Sequence, residues 1–210
     1  MPIKAVLWDM DGTLIDSEHL HISATAQAME GLGLTAPNDL FLRINGMAAG
    51  DVHKWLQQDY GLDLQFDDWI KRKHNTYMRR IGEIAVFSQA YDLWQDLQST
   101  GVKQAVVSNS DRLTVEANLG HLGLNNARQI SVSRNDVRNG KPDPEPYLRA
   151  AWLLEVAPGD CIVLEDSEAG AKAGLAAGMT TFLVPNTPAQ LPEGASRLKS
   201  FREIAVICGL

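Results

Sequence analysis

An α/β fold, a Rossmann-like parallel sheet core carrying an inserted all-helical cap domain, is what this sequence predicts. Three observations lead there. Short apolar, β-branched runs alternate with helical patterns along most of the chain. One long block, residues 16–86, breaks that alternation and is helical in pattern throughout. Reactive polar residues cluster where the apolar runs stop.

The first candidate strand is "IKAVLW" at 3–8. Further buried strands are expected at 104–108 ("QAVVS"), 161–165 ("CIVLE") and 180–184 ("TTFLV"), with a weaker one at 128–132. Continuous apolar runs of this length suit strands covered on both faces, which is the environment of a parallel sheet. Helical patterns fall between them at 90–101, 111–123, 143–156 and 166–178. Pro144 stands in the first turn of its helix and Gly178 just past the end of its own, as helix start and stop signals require. The insertion reads as helices over "SEHLHISATAQAMEGLG", "AAGDVHKWLQQDYG" and "FDDWIKRKHNTYMRRIG", with hinges at 15–17 and 85–88. The core is therefore 1–15 plus 87–210, and the helical domain 16–86. The Pro-rich stretch 184–197 is expected to be a surface loop before a short C-terminal element.

The chain has 210 residues, 45% of them hydrophobic, enough for a well-buried core. With a formal charge of -7 and no long basic run, no nucleic-acid or anionic-membrane partner is expected. The two cysteines, Cys161 and Cys208, lie far apart, so neither a disulfide framework nor a structural zinc site is expected. The first residues are too short and too acidic for a signal peptide, and no window is apolar for the length of a spanning helix. The expectation is a cytoplasmic protein, monomer or small homo-oligomer, acting on a small molecule.

In an open parallel sheet, ligands bind beyond the carboxyl ends of the strands. The first strand ends in "WDMDGT", the second in "VSNS" and the next in "LEDS", and "NGKPDPEPY" puts Lys141 on a loop at that same end. While the chain stays extended, Asp9 and Asp11 point the same way. Two carboxylates about 4 Å apart repel by roughly 4 kcal/mol at an effective dielectric near 20. Glu165 and Asp166 add to that repulsion, and Lys141 alone cannot balance it. An incomplete all-oxygen ligand set of this kind suits Mg²⁺. The Ser108 hydroxyl, Lys141 and the backbone N–H groups of Gly12, Thr13 and the residues after Ser108 would hold a phosphoryl group. Uncatalysed attack of water on a phosphate monoester is so slow that enzymes accelerate it by up to roughly 10²¹-fold. An aspartate nucleophile divides that barrier into two steps, with a second carboxyl moving the protons.

These residues resemble the haloacid dehalogenase-like phosphohydrolase superfamily. Its four motifs appear in order as "DMDGT" (9–13), "VVSNS" (106–110), "GKPDP" (140–144) and "LEDS" (164–167), and the resemblance spans the whole chain. It implies that Asp9 is the nucleophile and a Mg²⁺ ligand, and that Asp11 is the general acid/base with its carbonyl on the metal. It implies phosphate binding by Ser108, Asn109 and Lys141, and completion of the metal site by Asp166 and Glu165. The chain is most similar to the β-phosphoglucomutase and sugar-phosphate phosphatase branch. There His21, Gly46 and Lys73 correspond to cap residues facing substrate. Ala49 stands where the mutase has an arginine gripping the distal phosphate, and Asp111 and Arg112 follow Ser110 where the mutase has lysine and asparagine. These departures favour hydrolysis of a small phosphorylated metabolite, with a phosphomutase as the alternative, in which Arg112 or Arg43 would compensate. A receiver-type signalling domain puts its aspartate on a later strand and has no cap, and a dehalogenase lacks the second aspartate. His19 and His21 do not face each other on a helix and are not a chelating pair.

Overall fold

The computed structural model describes residues 3–44, 47, 49–125 and 129–210. Its elements in chain order are β1 (Ala5–Trp8), β2 (Ile15–Asp16), α1 (Glu18–Glu30), α2 (Leu40–Ile44), α3 (Ala49–Tyr60) and α4 (Phe66–Met78), followed by β3 (Ala85–Val86), α5 (Ser88–Thr100), β4 (Lys103–Val107), α6 (Arg112–His121) and β5 (Ile130–Val132). The chain finishes with α7 (Glu145–Leu153), β6 (Cys161–Glu165), α8 (Glu168–Ala176), β7 (Thr180–Leu183), β8 (Ser196–Arg197) and α9 (Arg202–Ile207).

Six strands form one sheet in the order β5-β4-β1-β6-β7-β8, and every pairing is parallel. β1 is central, with Leu7 opposite Ala105 of β4 and Val163 of β6. Every residue of β1 and β6 is buried, which is why they read as unbroken apolar runs. Alternate residues face opposite layers. Ala5 and Leu7 join Ala105, Val107, Cys161 and Val163 against Tyr147, Ala150 and Ala151 of α7 and Ala173 of α8. On the other face Trp8 packs on Trp94 of α5 and Phe201, with ring centroids 5.7 and 6.2 Å apart. The Trp8 indole N–H donates to Gln104 Oε1 at 3.0 Å, and Gln104 Nε2 donates to the Trp94 carbonyl at 3.0 Å, whereas the buried Trp94 indole N–H finds no acceptor among the described residues.

The chain divides into two compact units, Met1–Asp16 with Ala85–Leu210, and Ser17–Ile84. The second unit has its own core, in which Ala28 and Met29 of α1, Leu40 and Ile44 of α2, Val52 and Leu56 of α3, Leu62 of the following turn and Trp69 of α4 pack together. The two crossings of the chain are tied as an antiparallel ribbon, Ile15 opposite Val86 and Asp16 opposite Ala85. The sequence showed no strand there, because two residues are too few to carry a period. The short helix α2 was missed for the same reason. β8 falls inside the stretch read as loop, paired through Leu183 and Arg197. No helix among the described residues is long and apolar enough to cross a membrane.

Helix ends follow local chemistry. The side chains of Asp111 and Ser167 cap α6 and α8, accepting from the backbone N–H of Thr114 and Gly170. Pro144 is the N-cap of α7. Gly174 lies where α8 presses on the sheet, and a Cβ there would come 2.6 Å from Thr181 Oγ1 and 3.1 Å from Val163 Cγ1, whereas Gly120 of α6 has open space around that position. Gly174→Ala is therefore expected to destabilise the protein by about 1–3 kcal/mol, and Gly120→Ala to stabilise it by about 0.5–1 kcal/mol. Denaturant melts of the two variants check both signs.

Candidate active site

Asp9 is the first residue past β1, and its backbone N–H still donates to the Leu164 carbonyl at 2.9 Å. The strand then turns. The N–H groups of Leu14 and Ile15 both donate to the Met10 carbonyl at 3.0 Å. Gly12 stands at φ 83°, and a side chain on it would strike the Asp166 carboxylate. Glycine is thus required here by backbone conformation and by close approach. The Gly12 N–H, expected from the sequence to face a phosphoryl group, instead donates to the Ile15 carbonyl at 2.9 Å. The tightness of the turn uses up that donor.

Lys141 reaches the same place from the loop before α7. Its ammonium donates to Asp9 Oδ1 at 2.6 Å, to the Val107 carbonyl at 2.8 Å and to Glu165 Oε1 at 2.6 Å. Three N–H groups thus meet three acceptors on the ends of three neighbouring strands. The side chain is 3% exposed. Burial opposes its charge, but Asp9 and Glu165 outweigh burial and hold its pKa above the usual lysine range. Glu165 is wholly buried and also accepts from the Tyr147 hydroxyl at 2.6 Å and Ser167 Oγ at 2.9 Å. A Cβ on Gly170 would overlap that carboxylate, so α8 opens with a small residue to admit it. Burial, then the charge of Glu165, pushes the Tyr147 phenol well above its ordinary pKa, so it remains a donor.

Asp9, Glu165 and Asp166 each offer an oxygen, and these oxygens lie within 4.8 Å of one another. Burial chiefly, then the neighbouring charges of Glu165 and Asp11 against the opposing pull of Lys141, pushes Asp9 up to about 8. One ammonium does not neutralise this cluster. The donor chemistry, all oxygen and net negative around Asp9, fits a hard divalent cation such as Mg²⁺.

At the end of β4, Ser108 Oγ donates to Asp11 Oδ2 at 3.2 Å and Ser110 Oγ to the same oxygen at 2.9 Å. The Ser110 N–H donates to Ser108 Oγ at 2.9 Å. The Asn109 side chain turns to the Lys141 loop. Its Nδ2 donates to the Lys141 carbonyl at 3.1 Å and its Oδ1 accepts from the Lys141 N–H at 2.9 Å, so the side chain grips the lysine's own peptide. A Cβ on Gly140 would come 2.6 Å from that Asn109 oxygen.

The structure thus brings Asp9, Asp11, Ser108, Lys141, Glu165 and Asp166 to one end of the sheet. In the helical unit, His21 of α1 stacks on Tyr77 of α4 with ring centroids 4.6 Å apart. Lys73 is half-buried one turn before Tyr77. Gly46 lies outside the described residues. Ser110, Tyr147 and Ser167 were not singled out from the sequence. Only Ser110 carried a usable signal, its spacing of two from Ser108.

Residues 6–184 match the family described as haloacid dehalogenase-like hydrolase. Hexitol phosphatase A of Escherichia coli is 32% identical over 193 residues, covering 91% of this chain and 87% of that protein. The bifunctional riboflavin kinase/FMN phosphatase of Arabidopsis thaliana is 31% identical over 89% of this chain, which spans 50% of that longer protein. Among solved structures, CbbY from Rhodobacter sphaeroides in complex with phosphate superposes with a TM-score of 0.88 at 25% identity, covering 99% of this chain and 100% of the other.

The Asn109 grip has a measurable weight. Asn109→Ala strands the N–H and carbonyl of a buried loop residue, and is expected to lower unfolding free energy by about 1–3 kcal/mol in a denaturant titration. Tyr147→Phe, which removes one donor from a fully buried carboxylate, is expected to cost a similar amount, about 1–3 kcal/mol.

Proposed function

Because the chain belongs to the haloacid dehalogenase-like hydrolase family and is a phosphatase, we propose that it is a Mg²⁺-dependent hydrolase of small phosphomonoesters, a sugar phosphate or similar metabolite. The phosphoryl group would pass through Asp9. The observation that carries this reading is the buried Asp9–Lys141 pair, 2.6 Å apart at the carboxyl end of the central strand.

Asp9 attacks phosphorus with one carboxylate oxygen, and the bond from phosphorus to the leaving oxygen breaks. Asp11 gives its proton to that oxygen, so an alcohol departs. In the second step Asp11 takes a proton from water as the water oxygen attacks the aspartyl phosphate. The acyl oxygen–phosphorus bond breaks, inorganic phosphate leaves and both carboxyls return to their starting forms. Lys141 holds Asp9 in place and offsets charge as negative charge gathers on the transferring group. Ser108 and Ser110 fix the orientation of Asp11 through the bonds they donate to it. Asp9 and Asp166, with Glu165 beside them, are the residues that would hold Mg²⁺, joined by the Asp11 carbonyl. The ion would supply Lewis-acid stabilisation of phosphoryl oxygens.

The sugar-phosphate reading draws on the name of the Escherichia coli relative. Choice among esters is assigned to the inserted helical unit, which carries His21 and Lys73. Hydrolysis is favoured over mutase chemistry because Ala49 stands where the mutase has its phosphate-gripping arginine. Of the two arginines that could compensate, Arg112 is bonded to Ser131 and Asp136, and Arg43 forms an exposed pair with Asp39 at 2.9 Å.

Phosphate release from a panel of phosphorylated metabolites, with Mg²⁺ and with chelator, tests the proposal. Release is expected only with the metal, to return on its readdition, and to fall by at least about 10³-fold in Asp9→Asn. Conversion of β-glucose 1-phosphate to glucose 6-phosphate without phosphate release would replace hydrolysis by the mutase reading. Equal activity of wild type and Asp9→Asn would overturn the nucleophile.

A further inference from the structure

The segment between β7 and β8 was expected to be a plain surface loop. It is a surface loop, and through Thr187 it also reaches the Asp166 backbone. The Thr187 hydroxyl donates a short hydrogen bond to the Asp166 carbonyl, and Thr187 Oγ1 itself accepts from the Ala189 N–H at 3.2 Å. The carbonyls of Thr187 and Ala189 are in turn fastened by Arg197, whose two terminal nitrogens donate to them at 2.7 and 2.6 Å. Arg197 is placed by the pairing of β8 with β7, Arg197 opposite Leu183. The neighbouring Leu198 N–H donates to the Leu183 carbonyl at 2.9 Å. On its other side the Asp166 carboxylate lies against Gly12, with no room for a Cβ between them.

We infer that Thr187 and Arg197 are positioning residues that set the Asp166 backbone, and through it the Asp166 carboxylate, for the divalent cation. This rests on the reading of Asp166 as a metal ligand. Asp166 directly follows β6 and precedes α8, so its peptide is the corner of a strand–helix turn. A carbonyl fixed at that corner restricts the backbone dihedrals that aim the side chain. Groups behind a ligand typically change metal affinity by about 10–100-fold when removed. Nothing on this strap touches the reacting atoms, and Arg197 is exposed, so the core does not depend on it.

Calorimetric titration of the metal-free protein with Mg²⁺, without substrate, isolates the effect. Thr187→Val keeps the volume and removes the hydroxyl, and is expected to weaken Mg²⁺ binding by about 10–100-fold. Thr187→Ser, which restores the donor, is expected to bind within about threefold of wild type. Arg197→Met is expected to shift affinity in the same direction as Thr187→Val, and as a change of an exposed residue it carries the test if Thr187→Val does not fold. Wild-type affinity in both variants, within about twofold, overturns the inference. Asp166→Asn serves as the reference for a lost site: a wild type that binds no Mg²⁺ counts against the proposed function itself, whereas wild-type binding that is lost in Asp166→Asn but kept in Thr187→Val and Arg197→Met counts against the strap alone.

Discussion

A buried ammonium at the meeting point of three strand ends is the constraint on which this site depends. Lys141 has three donors, and they go to Asp9 after β1, the Val107 carbonyl at the end of β4 and Glu165 at the end of β6. Removing the lysine would leave two acids uncompensated in a place with almost no water, a loss that in buried pairs is typically about 3–5 kcal/mol. The surroundings protect the arrangement. Asn109 holds the lysine's peptide, Tyr147 and Ser167 hold Glu165, and Gly170 makes room for it. Charge placed this deep is costly, and the excess negative charge around Asp9 is what the proposed cation would offset.

The sheet order makes that meeting possible. β1 lies between β4 and β6, although nearly a hundred residues separate it from β4. Parallel pairing sends all three carboxyl ends the same way, so motifs remote in sequence converge. The helical unit of residues 17–84 leaves and returns through the β2–β3 ribbon, so its insertion does not disturb β1.

Much of this was legible without coordinates. Buried strands are continuous apolar runs, so β1, β4, β6 and β7 stood out, and their ends carried the acids, serine and lysine motifs. The α/β class follows from the alternation itself. Short elements were not legible: the ribbon of Ile15–Asp16 with Ala85–Val86, the five-residue α2 and the two-residue β8 are decided by pairing and packing from elsewhere in the chain.

Within the site, the sequence by itself determined which side chains gather: Asp9, Asp11, Ser108, Lys141, Glu165 and Asp166 stand at strand ends or on a loop at the same edge, and the parallel α/β pattern leaves them one place to go. Only the tertiary structure decided what each polar atom is bonded to. The Gly12 N–H closes a turn, the Asn109 side chain serves Lys141, Arg112 is bound to Ser131 and Asp136, and Thr187 backs Asp166. The reason is physical. Strand position follows from burial, which is written locally in apolar runs, whereas a hydrogen-bond partner is set by distances of a few tenths of an ångström between segments far apart in the chain, and no local pattern encodes those.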